Sequence, residues 1–120
     1  MTSDTTHDPL GSAAFLGEIL ADLAKTIDAR VGDDPASSWT AKLLAGGPAL
    51  TAKKLGEEGV EAALAVASQS DDEVAKEAAD VLYHLLVALR SRGVTLGQVA
   101  KVLEARQGKS GIAEKASRGA

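Results

Sequence analysis

The sequence contains no cysteine, which excludes disulfides and thiolate metal sites. Aromatics are scarce as well, with one Phe, one Trp and one Tyr. Aromatic and β-branched residues fill strands, so this composition argues against a β-sandwich. Basic residues are outnumbered: 13 Lys and Arg face 17 Asp and Glu, for a net charge of −4. With a pI near 5.1, the chain lacks the basic signature of a nucleic-acid binder. It also lacks the basic amphipathic helix of a membrane-surface protein. No apolar run approaches the roughly 20 residues of a membrane span. Met1 to Asp8 are polar and acidic, without the basic start and apolar run of a signal peptide. The expected setting is the cytoplasm, with neither nucleic acid nor membrane as partner.

Alanine and leucine are abundant, at 23 and 15 of 120 residues. Both are strong helix formers, so the expected fold is all-α. At 45% apolar and 25% charged, the chain is globular rather than disordered. Its length suits one domain, expected over residues 13–120 behind a flexible leader of residues 1–12.

The helices can be placed by periodicity and punctuation. Phe15, Leu16, Ile19, Leu20, Leu23 and Ile27 recur at steps of three and four, and Gly32-Asp33-Asp34-Pro35 ends that helix. Ser37 or Ser38 caps a short second helix carrying Trp39, Leu43 and Leu44. Gly46-Gly47-Pro48 stops it and starts a long helix from about Ala49 to Ser68. Ser70 and Glu73 have capping-box spacing before a helix from about Asp71 to Arg92. Val74, Ala78, Leu82, Leu85 and Leu89 form its expected buried stripe. Thr95 and Gln98 repeat the box before a last helix that Gly108 closes, and the tail beyond is basic. The two long helices make an antiparallel hairpin. Its alanine-rich faces bury little apolar area per residue, which favours a homodimer with a four-helix-bundle core. The alternative is a monomer whose first helix covers the hairpin.

The chemistry lies in the carboxylates. Lys54, Glu57, Glu58 and Glu61 share one stripe of the first long helix, and Glu77, Asp80 and His84 share one of the second. A hairpin turn can bring the two stripes face to face. Opposed acids repel unless a divalent cation lies between them, and hard oxygen ligands suit Mg²⁺ or Mn²⁺. Charge runs of this kind are also common as solvated helix faces. His84 follows Asp80 by four residues, a spacing that lets it orient that carboxylate. No Glu-x-x-His pair of a di-iron site is present.

Five blocks in order then resemble the phosphoribosyl-ATP pyrophosphatase family, within the MazG-like all-α nucleotide pyrophosphatases. The superfamily pattern stands as Glu58-Gly59-Val60-Glu61 and Glu77-Ala78-Ala79-Asp80. The narrower likeness rests on Ser38-Trp39-Thr40, Lys53-Lys54-Leu55-Gly56-Glu57-Glu58, Tyr83-His84, Ser110-Gly111 and Lys115-Ala116-Ser117-Arg118. Trp39 stands where the family more usually has Tyr. The resemblance implies hydrolysis of phosphoribosyl-ATP to phosphoribosyl-AMP and pyrophosphate, the second step of histidine biosynthesis. It implies Glu58, Glu61, Glu77 and Asp80 as Mg²⁺ ligands, with Mn²⁺ as an alternative ion. Glu57 or Glu58 would prepare the attacking water, while Lys42, Lys54, His84, Lys115 and Arg118 would contact substrate. Two other readings share the acidic core: a MazG-like enzyme clearing non-standard nucleotides, and a non-catalytic helical dimer with an acidic face.

Overall fold

A computed structural model of the chain describes Gly11 and residues 13–108. Five helices are present: α1 (Ala13–Ala29), α2 (Trp39–Ala45), α3 (Gly47–Ser68), α4 (Asp71–Ser91) and α5 (Leu96–Arg106). No strand occurs among the described residues. The all-α expectation therefore holds. The leader call covers residues 1–12, of which only Gly11 is described, and the tail with Lys115 and Arg118 lies outside the described residues.

Three of the helix starts follow from a capping side chain. Ser38, in extended conformation, accepts a hydrogen bond from the Ala41 amide and opens α2. Thr95 and Gln98 form the full reciprocal capping box at α5. At α4 only half the box forms. Ser70 accepts from the Glu73 amide, while the Glu73 carboxylate pairs with Lys76 at 3.7 Å. The ammonium one turn ahead offers a charged partner to that carboxylate.

Between α2 and α3 there is no loop. Gly46 ends one helix and precedes the other, and Gly47 carries φ +72°. Only glycine adopts that conformation without strain. A Cβ on Gly46 would collide with the Leu50 side chain, so neither glycine is replaceable without a shift.

α3 and α4 form the antiparallel hairpin, and α1 and α2 pack against α4. The core is small. Ile27, Leu43, Leu86 and Val87 form its buried cluster, with Leu20, Leu23, Tyr83 and Leu89 packed around it. The expected α4 stripe is corrected: the fully buried residues are Leu86 and Val87, which were not on it, while Val74, Leu82, Leu85 and Leu89 are half-buried and Ala78 is exposed. α4 is enclosed on several sides only in its C-terminal half, where burial widens beyond a single stripe. α1 likewise buries only its C-terminal end, leaving Phe15 60% exposed.

Two lateral hydrogen bonds fix helix register. Thr51 on α3 bonds Ser91 on α4 (Oγ1 to Oγ, 2.9 Å), and Thr51 is itself buried. Thr40 on α2 bonds the Tyr83 hydroxyl on α4. Buried hydroxyls of this kind are costly to leave unpaired. With so few fully buried side chains, Leu43 carries much of the packing. Leu43→Ala is expected to lower unfolding free energy by about 2–5 kcal/mol, read from urea denaturation monitored by helical circular dichroism. A loss well below that range would show that the cluster collapses around the cavity.

Candidate active site

The hairpin brings the acidic helix faces together. Glu58 from α3 and Glu77 and Asp80 from α4 place one carboxylate oxygen each within 4.8 Å of one another. Glu58 and Glu77 are half-buried, and Asp80 is exposed. The Oε1 atom of Glu77 is buried and has no hydrogen-bond partner. A buried acceptor in this position is costly by itself, and a cation would satisfy it.

Glu77 is also electrostatically abnormal. Its pKa is raised above the ordinary carboxylate value. Burial is the first cause, followed by the negative charges of Glu61, Asp80, Glu58 and Glu73. Four carboxylates thus act against the ionisation of a fifth.

Glu61 lies outside the close trio and is exposed, yet its charge is the largest carboxylate influence on Glu77. Repulsion from its neighbours favours an outward position for its carboxylate. Glu57 is likewise outside the trio. It pairs with Lys54 at 3.4 Å, one turn away on the same helix.

His84 departs from expectation. Its Nδ1 donates to the main-chain carbonyl oxygen of Asp80 at 2.9 Å, not to the Asp80 carboxylate. The i, i+4 spacing of a helix suits either contact, and the carbonyl is the fixed acceptor. The ring also stands edge-on to Tyr83, with centroids 4.9 Å apart.

Lys42 and Lys54 converge on one object. Their ammonium groups lie 5.7 and 5.9 Å from the Trp39 ring centroid. The local sequence gives no sign of this, because Lys54 and Trp39 sit on different helices. The link from Thr40 to Tyr83, 43 residues apart, was equally invisible in sequence. Lys115 and Arg118 cannot be placed against the site, since both fall outside the described residues.

The Glu77 shift has a definite consequence for stability. A carboxyl group with a raised folded pKa contributes stability that is fully present below its unfolded pKa. That contribution is lost as pH rises through the folded value. In the presence of a chelator, the chain should therefore melt at lower temperature as pH climbs through that window. Glu77→Gln should remove this part of the pH dependence and melt higher than the parent at neutral pH. Scanning calorimetry across pH reads both effects, and a Gln variant that melts lower would contradict them.

Known proteins share this arrangement of sequence. A family model described as "Phosphoribosyl-ATP pyrophosphohydrolase" matches residues 20–107. A protein of Cereibacter sphaeroides (strain KD131) named phosphoribosyl-ATP pyrophosphatase is 60% identical over 101 residues, covering 84% of this chain and 98% of the relative. Another of the same name from Caulobacter vibrioides (strain NA1000) is 57% identical over 103 residues, covering 86% of this chain and 95% of its own length. One from Methylobacterium radiotolerans is 58% identical over 99 residues, with coverages of 82% and 92%. The matched span holds α2, the hairpin and every carboxylate of the acidic cluster, and on it the chain belongs to the phosphoribosyl-ATP pyrophosphohydrolase family.

Proposed function

We propose that the chain hydrolyses phosphoribosyl-ATP to phosphoribosyl-AMP and pyrophosphate, the second step of histidine biosynthesis, in the cytoplasm. Near 60% identity to proteins named for that activity, over almost their whole length, supports the reaction. The observation that carries the mechanism is the unpartnered, buried Glu77 oxygen among converging acids. This donor set is all oxygen and anionic, which suits Mg²⁺, with Mn²⁺ as the alternative.

Glu58, Glu77 and Asp80 would hold the ion, with Glu61 at the edge of the set. Bound there, Mg²⁺ would supply neutralisation of the triphosphate and of the pyrophosphate leaving group. Water attacks in line and must lose a proton. Glu57 and Glu61, outside the close trio, are the carboxylates left to accept it. In the free protein the ion pair with Lys54 holds Glu57 in place, and transfer of that ammonium to a substrate phosphate would release the carboxylate to act as base. Lys42 and Lys54 supply positive charge for phosphate oxygens on the flank of the acidic cluster. His84 keeps its Nδ1 proton on the Asp80 carbonyl, which leaves Nε2 to meet the substrate.

The working unit is a homodimer. Apolar side chains stand in water along α3, with Val60 62%, Leu64 57% and Val66 71% exposed, and a second copy would cover them. No helix among the described residues is long and apolar enough to cross a membrane.

Pyrophosphate release from phosphoribosyl-ATP, ATP, dCTP and dUTP, with and without Mg²⁺, tests the reaction. Turnover confined to phosphoribosyl-ATP and dependent on Mg²⁺ is expected. Turnover of the simple nucleotides instead would make the chain a nucleotide-clearing enzyme. Glu58→Gln and Asp80→Asn should each reduce kcat by about 100-fold or more, since even outer partners of metal ligands are worth ~10–100-fold. Sedimentation equilibrium should give about twice the 12.2 kDa chain mass, and a monomeric mass would remove the dimer.

A further inference from the structure

Trp39 is an unusual surface residue. It is the one tryptophan of the chain, and it is 51% exposed although it is large and apolar. Two ammonium groups from different helices, those of Lys42 and Lys54, sit over its ring within 6 Å. The face of an indole is electron-rich and attracts cations. Here it has collected two.

The platform has a fixed place beside the acidic cluster. Thr40, the next residue, is tied to the Tyr83 hydroxyl, and Tyr83 is one helical turn beyond Asp80. Lys54 is one turn before Glu58, and its ammonium group already divides its contacts between Trp39 and Glu57. A helical turn rises about 5.4 Å, so Lys54 and Tyr83, the residues that tie this corner to the hairpin, each stand one turn from a carboxylate of the cluster.

The chemistry of the substrate meets this feature. Phosphoribosyl-ATP differs from ATP by a second ribose phosphate on purine N1. Adenines substituted at N1 are far stronger bases than adenine itself and hold a positive charge at neutral pH. ATP offers a neutral purine under the same conditions. We propose that Trp39 is the specificity-determining platform that accepts the cationic purine of phosphoribosyl-ATP. Lys42 and Lys54 occupy the ring in the free protein and move to phosphate oxygens when the purine takes their place. Both ammonium groups stand on long flexible stems, and phosphates are stronger partners for them than an indole face. The inference rests on phosphoribosyl-ATP being the substrate.

Because Trp39 is the sole tryptophan, the tryptophan fluorescence of the chain reports the surroundings of this one ring. Three probes separate charge from shape: AMP, 1-methyl-AMP, which is cationic at neutral pH, and 1-methyl-IMP, which carries the same methyl group without the charge. The cationic probe is expected to quench at concentrations about tenfold lower than the other two. Equal quenching by all three, or quenching by none, would overturn the proposal. In parallel, Trp39→Leu should raise KM for phosphoribosyl-ATP by about tenfold, with the loss on KM rather than kcat, and Trp39→Tyr should recover most of it. An unchanged KM in Trp39→Leu would also overturn it. Failure of the reaction itself is read separately. It shows as no pyrophosphate release by the parent chain, whereas failure of the platform shows as normal release with no preference for the cationic probe.

Discussion

Mutual repulsion among carboxylates is the constraint around which this small fold is arranged. Glu58, Glu77 and Asp80 are pressed together by the α3–α4 hairpin, with Glu61 and Glu73 adding to the field at Glu77. Such a cluster opposes its own scaffold, so the force that closes it must come from elsewhere. The buried cluster of Ile27, Leu43, Leu86 and Val87 lies toward the other end of α4, away from the acids. The hairpin is therefore clamped at its C-terminal end and strained electrostatically nearer its turn. Along α4, the buried cluster and the acids occupy separate stretches.

The clamp is narrow, and polar contacts extend it. The Thr51–Ser91 bond sets the register of α3 against α4, and the Thr40–Tyr83 bond does so for α2. Register matters here because the trio draws on both hairpin helices. A slide of one residue would rotate Glu58 away from Glu77 by about 100° of helix. Hydrophobic packing alone, with alanine-rich faces, discriminates weakly between such registers. Hydroxyl pairs do so well, because a mismatch leaves a buried polar group unpaired.

Much of this was legible in the sequence, and the reason is local. Ser38, Ser70 and Thr95 announced three helix starts, because a cap is a contact between residues three apart. The paired Glu-x-x-Glu and Glu-x-x-Asp spacings pointed to Glu58, Glu77 and Asp80, because a short turn forces the two helices to be neighbours. What the sequence hid depends on contacts between distant residues. The tie from Thr40 to Tyr83 and the meeting of Lys54 with Trp39 have no local signature. Side-chain direction was hidden too. The His84 ring turns to the Asp80 main-chain carbonyl rather than to the carboxylate its stripe suggested, because the carbonyl is the fixed acceptor at that spacing. The burial of α4 was misplaced for a related reason, since a single stripe describes one neighbouring helix and α4 has three.

The junction at Gly46 and Gly47 has a wider effect than its two residues suggest. Because one residue serves as the end of α2 and the threshold of α3, no slack separates them. The angle of α2, and with it the direction of Trp39, is dictated by the first turn of the helix that carries Glu58. The aromatic surface and the acidic surface are thus two arms of one bracket rather than two parts docked independently. Changes in this elbow would alter the spacing between them while touching neither, so the backbone at the joint acts as a ruler for whatever ligand spans both arms.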